Sequence, residues 1–214
     1  MAIIQSGGAG GTALLVDPNF GAARVAVRPT DTLGWNSVGA ATGSLTGLAA
    51  NAGLFSFRNL SANPLVVRRI GIGFVTTVAF TTAQVTSFGL FVARSFTASD
   101  SGGTGIAFTG ANGKHRTSLG TPTSLDCRIA TTVALGGGIR TLDATALGLQ
   151  AGWSATAGTT IAPSINNLIS HDTGDYPIVL AQNEGLVIAN VTAMGAGGVG
   201  TAYVAMEFAE ASAF

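Results

Sequence analysis

The stretch from Ile70 to Ala93 carries no charged residue and is long enough to cross a lipid bilayer. A chain with such a run either places it in lipid or buries it in a core. The run contains Thr76, Thr77, Thr81, Thr82, Gln84, Thr86 and Ser87. Its polar cluster, Thr81-Thr82-Ala83-Gln84, sits at the middle, where a spanning helix should be most apolar. Val, Thr and Phe dominate, and these residues favour strands. The run therefore predicts two strands joined by a turn. An outer-membrane barrel is disfavoured too, because two Trp and two Tyr are too few for aromatic girdles. Met1 to Ser6 shows neither a basic segment nor a compact apolar one. The expectation is no membrane.

Alternation extends the strand reading. In Leu65 to Thr76, Val66, Arg68, Ile70, Ile72 and Phe74 fall on one face, and Arg69, Gly71 and Gly73 on the other. Val85 to Phe96 places Phe88, Leu90 and Val92 together. Further strands are expected at Leu54–Phe57, Ile106–Thr109, Ser124–Val133, Gly138–Gly148, Tyr176–Ala181, Gly185–Thr192 and Gly200–Phe208, with a hairpin turn at Asn112-Gly113. The best short-helix candidate is Thr160–Ser170, weakened by Pro163. Residues 1–50 are rich in Gly, Ala, Thr and Ser, with a flexible joint at Gly7–Gly11 and short strands at Ala13–Val16 and Ala23–Arg28. The expected organisation is an extended N-terminal arm with short strands over 1–50 and a β-sandwich over 51–214. The fold class is all-β, a jelly-roll-like or other Greek-key sandwich.

Charge then limits how such a sandwich can exist. Charged residues are 9% of the chain and hydrophobic ones 47%, with a formal net charge of zero. Typical soluble domains carry about 25% charged residues. With lipid set aside, much of the outer surface is expected to face other protein. No basic patch marks a nucleic-acid partner. Lys114 is the only Lys, so Arg supplies the cations; Arg is favoured at interfaces, although base composition of the gene would give the same bias. Arg68, Arg69 and Arg94 flank the uncharged run. They read either as solvated strand ends or as subunit contacts that pair with acids on a neighbour.

Chemistry is sparse. Gly195-Ala196-Gly197-Gly198-Val199-Gly200 matches the dinucleotide-binding string, but a strand is expected after it and no helix. His115 and His171 are the only histidines; His171-Asp172 is the tempting pair, yet no nucleophile elbow accompanies it. Asp100, Asp172, Asp175 and Glu184 match no calcium loop and read as solvated loop carboxylates. Cys127 is alone and shares a strand face with Leu125 and Ile129, which predicts a buried structural thiol. No enzyme activity, cofactor or metal site is expected.

Several phrases resemble a family of roughly 200-residue bacteriophage structural proteins: Val67–Phe74, Ala79–Gln84, Phe91–Thr104, Asp126–Thr132, Arg140–Ala144 and Asn183–Ile188. The phrase Asp17-Pro18 with Ala22–Val25 is similar to leaders of phage fibre and decoration proteins. The resemblance implies a virion component, assembled in the bacterial host cytoplasm, and carries no catalytic residues. The favoured reading is a capsid decoration or cement protein, homo-oligomeric and preferably trimeric, bound to the major capsid protein or other virion proteins. The alternative is a fibre, spike or tail-tip module that binds a host surface, with Trp35, Trp153 and Tyr176 as its aromatic candidates.

Overall fold

The computed structural model describes residues 34–109, 113–116, 120–122, 124–154, 156–158, 160–170 and 177–211. The expected strands at Ala13–Val16 and Ala23–Arg28, the joint at Gly7–Gly11, Asn112, and His171, Asp172, Asp175 and Tyr176 lie outside these residues. The elements in chain order are β1 (Asn36–Ala41), β2 (Ala52–Asn59), β3 (Leu65–Val78), β4 (Gln84–Ala98), β5 (Thr104–Gly105), β6 (Leu125–Ile129), β7 (Ile139–Leu142), β8 (Gly148–Ser154), β9 (Thr160–Ser170), β10 (Ile178–Leu180), β11 (Gly185–Asn190) and β12 (Val199–Glu210).

These strands form two antiparallel sheets, packed as a β-sandwich. The smaller has five strands in the order β1-β12-β3-β10, with β9 also paired to β3. The larger has seven, in the order β5-β6-β2-β11-β4-β7, with β8 also paired to β4. Among the described residues no helix is long and apolar enough to cross a membrane. The uncharged run resolves into β3, the turn around Thr81–Ala83, and β4. The two strands are not hydrogen-bonded to each other. They lie in opposite sheets, and Phe74 meets Phe88 across the core with ring centroids 5.3 Å apart.

The core is the apolar layer between the sheets. From the larger sheet come Phe55, Phe57, Phe88, Leu90, Leu186 and Ile188; from the smaller come Ile70, Ile72, Phe74, Val204, Met206 and Phe208. Burying each such side chain stabilises the fold by about 1.5–3 kcal/mol. Cys127 is buried in this layer, and burial pushes its thiol well above the ordinary range, so it stays protonated.

Several expectations are corrected. First, strict alternation in β3 put Val66 and Arg68 on the core face. The pairing to β12 skips a residue between Arg69–Glu207 and Val67–Phe208. This β-bulge absorbs Arg68 and resets the phase, so Val67 and Leu65 enter the core. Second, Thr160–Ser170 is strand β9, not a helix. It pairs along β3 with two register shifts, and the pairing decides the conformation of a segment whose own pattern is weak. Third, Gly138–Gly148 is not one strand: β7 ends at Leu142 and β8 begins at Gly148. Ile106–Thr109 is irregular, although Phe108 reaches the core and meets Phe208 edge-on at 5.2 Å. Residues 36–48, counted with the arm on composition, supply β1 at the edge of the smaller sheet and the buried Leu45 and Leu48.

Candidate interaction surface

The outer face of the larger sheet is the chemically distinctive surface. The alternation that turns Phe88, Leu90 and Val92 inward turns Val85, Ser87, Gly89, Phe91 and Ala93 outward. From β11, Val187 and Ala189 join them; from β2, Ser56 and Arg58 do so. This face has two unlike halves.

One half is covered and braced. Beyond Arg94 the register of β4 shifts, with Ser95 at φ +48°, and Phe96 comes to lie on the outer face with Ala93 and Val187. The Arg140 and Arg58 guanidiniums stand 5.2 and 5.5 Å from the Phe96 ring centroid, within cation–π range. Arg58 donates to Ser99 Oγ at 2.9 Å, the Thr97 carbonyl at 2.9 Å and Asn183 Oδ1 at 3.0 Å. Arg140 is ion-paired to Asp100, which is buried, and burial lowers the Arg140 pKa from its ordinary value. Asp100 Oδ1 also accepts the Gly138 N–H at 2.6 Å. Arg140 and Leu135 lie over Gly53, each 3.8 Å from where a side chain would begin there. The segment carrying them is held to the sheet by the pairing of β7 with β4, by backbone bridges from Leu135 to Gly53 and from Gly136 to Ser101, and by one buried ion pair.

The other half is uncovered. Val85, Leu147 and Leu149 are exposed, Leu149 by 62%. Leu149 pairs with Gly89, so both point outward, and the Phe91 ring folds over Gly89 beside Val191. On the far side of Phe91 lies a half-open trough of about 300 Å³, lined by Asn51, Phe91, Leu142, Asp143, Ala144 and Ala189. The result is a largely apolar strip, with Asn51 and Asp143 among the residues that line its trough.

The three arginines singled out in the sequence do not converge. Arg94 stands at that rim, donating to Glu184 Oε1 at 2.7 Å and pairing with Asp143 Oδ2 at 3.3 Å. These bonds, the one to Glu184 first, raise its pKa above the ordinary value. Arg69 belongs to the other sheet and is ion-paired with Glu207. Arg68 lies over the Trp35 ring at 5.7 Å, which ties up one of the aromatic candidates. Arg69 and Arg94 thus find within the chain the carboxylates that a neighbour was expected to supply. Arg69→Ala should cost under about 1 kcal/mol in chemical denaturation, as for other exposed pairs, and leave self-association unchanged in light scattering.

Among the described residues, the remaining sequence candidates stand apart from one another; His171, Asp172 and Asp175 lie outside them. The glycine-rich string runs from the loop after β11 into the first two residues of β12, so it leads into a strand. That loop meets the β3–β4 turn: the Gly195 N–H donates to Gln84 Oε1 at 2.8 Å, and Gly198 packs on Phe80. An uncharged, half-open concavity of about 320 Å³ lies between them. His115 is exposed and donates its backbone N–H to the Trp35 carbonyl. Among the described residues no group of three or more His, Cys, Asp or Glu is placed to hold a metal. The apolar strip itself was not foreseen. Its signal was Leu147 and Leu149 spaced by two with few charges nearby, a pattern that also fits an ordinary core strand. No protein-family model, curated protein or solved structure matches the chain.

Proposed function

We propose that this chain is a non-enzymatic structural component of a bacteriophage particle, most simply a capsid decoration or cement protein. It binds the outside of the head, holds neighbouring capsomers together and self-associates. The observation that carries this reading is the uncovered apolar strip on the larger sheet, in a chain with only 9% charged residues. Exposed apolar patches of this kind mark protein contacts. The phage assignment rests on the resemblance of the Leu65–Gly103 phrases, and the head location on the favoured member of that resemblance.

A second reading, a fibre or tail-tip module that binds a host surface, is favoured by the uncharged concavity between the Phe80–Gln84 turn and the Gly195–Ala196 loop. Hydroxyls, an amide and backbone groups suit a neutral glycan better than a charged ligand. Copy number separates the two. Quantitative mass spectrometry of purified particles should give a number comparable to the major capsid protein. A count of only a handful per particle would transfer the chain to the fibre class.

A further inference from the structure

We propose that Arg68, held over the Trp35 ring, is a recognition site for a carboxylate presented by another protein of the particle. The proposal rests on the assembly reading above for the kind of partner, and it gives that reading a contact at the level of one residue.

The site begins with the β-bulge in β3. Val67 pairs with Phe208 and with Ile178, and Arg69 pairs with Glu207 and with Ser170. Arg68, between them, has no register partner on either side. A bulge of this kind takes the extra residue out of the ladder and re-aims its side chain. The Arg68 guanidinium lies over Trp35, 5.7 Å from the ring centroid and within cation–π range. Trp35 is itself held in place. Its carbonyl accepts the His115 N–H at 3.0 Å, and Asn36 beside it bridges to Lys114. The ring steadies the guanidinium and supplies no oxygen for its five N–H groups. The planar fork that matches the two oxygens of a carboxylate therefore stays open.

The distribution of charge selects the ligand. Arg58, Arg69, Arg94, Arg128 and Arg140 each donate to oxygens of this chain. Among the described residues Arg68 donates to none. Along the register Glu207 stands opposite Ser37, two residues from Trp35, and Arg69 already holds it. Lys114 and Arg116, in the segment bonded along residues 35–37, add positive charge at this end of the sheet. An unpaired arginine on a free stem is only a solvated charge; this one is lifted from the ladder by a bulge and steadied by a ring. A second copy is the less favoured source of the carboxylate. Asp100, Asp126, Asp143, Glu184, Glu207 and Glu210 all have donors within their own chain. Among the described residues each would have to leave a partner first. A different protein presenting an acidic side chain meets no such obstacle.

The test uses the full-length chain and an end-blocked, dye-labelled hexaglutamate peptide, followed by fluorescence anisotropy at low salt. The peptide should bind, and Arg68→Gln should weaken binding about fivefold, the upper end for an ion pair at a surface. Arg68→Lys keeps the charge but loses the fork, and should weaken it nearly as much. The far-ultraviolet circular dichroism should not change, since Arg68 is half-exposed and outside the ladder. Nuclear magnetic resonance needs no substitution: the Trp35 indole and the amides of residues 67–69 and 113–116 should shift as peptide is added. A parent that ignores hexaglutamate, full binding by Arg68→Gln or Arg68→Lys, or unshifted resonances would each overturn the site. Light scattering should give Arg68→Gln the oligomeric state of the parent, and glutarate should displace the peptide better than inorganic phosphate at matched ionic strength. Loss of self-association in Arg68→Gln would assign the carboxylate to a second copy, and stronger displacement by phosphate would make this a phosphate site; either would overturn the partner named. The copy number in particles is read independently. A high count without peptide binding would keep the virion component and remove this contact.

Discussion

Asp100→Ala should destabilise the fold by about 3–5 kcal/mol in chemical denaturation, the cost of leaving one partner of a buried ion pair alone. Asp100 is 2% exposed and sits between two donors, the Arg140 guanidinium and the Gly138 N–H. Removing its carboxylate strands both. Arg140 cannot escape by losing its proton, because even a lowered arginine pKa leaves it charged near neutrality. Its guanidinium must then find water, and to do so it has to lift off the Phe96 ring. The backbone of this segment stays tied to the sheet through β7 and the Leu135–Gly53 bridge, so the loss falls on the Arg140 side chain and the Phe96 ring that it covers. A compensated double variant, Asp100→Leu with Arg140→Met, removes both charges and should recover most of the loss. Equal destabilisation in the single and double variants would show that the stranded Arg140 charge is not the source of the loss.

This brace illustrates what the sequence could and could not reveal. Arg58, the Phe96–Asp100 stretch and Arg140 come from three separate parts of the chain, and no local pattern links them. They meet because β2 and β4 flank β11 and because β7 returns beside β4. By contrast, the inward row Phe88, Leu90 and Val92 was legible, since period-two alternation is imposed by the strand itself. The β3 row failed from Arg68 back to the start of the strand. Alternation has no means of registering a bulge, and Arg68 is where the partner strand skips. β1 was missed for a different reason: Asn-Ser-Val-Gly-Ala-Ala has one bulky apolar residue, Val38, and owes its extended form to pairing with β12. β9 is similar, a segment made into a strand by the free edge of β3. The all-β sandwich was therefore readable from its strongly patterned strands. The interaction strip was not, because which face of an apolar strand lies outside is settled by what else packs on the sheet.

The second large effect concerns the junction between the sheets. Phe208→Ala should cost about 3–5 kcal/mol, at the upper end for aromatic truncation in a core. Phe208 is fully buried on β12, opposite Val67. Its ring contacts Phe57 of the larger sheet at 4.9 Å and Phe108 of the irregular 106–109 segment at 5.2 Å. One side chain thus joins both sheets and anchors a segment that has no strand pairing of its own. Its place follows from the same bulge that displaces Arg68: without the skipped residue, Phe208 would face Arg68 across the ladder instead of Val67, and the phase of β3 beyond it would be reversed. Truncation leaves a cavity that β12 cannot close, because its registers with β1 and β3 hold it on both sides. Domains of this size hold about 5–15 kcal/mol in total, so the variant should remain folded with a strongly lowered denaturation midpoint. Phe208→Leu, which keeps most of the volume but loses both ring contacts, should fall between parent and Ala. If Leu and Ala proved equally mild, at under about 1 kcal/mol, the inter-sheet aromatic junction would not be a principal support of the sandwich.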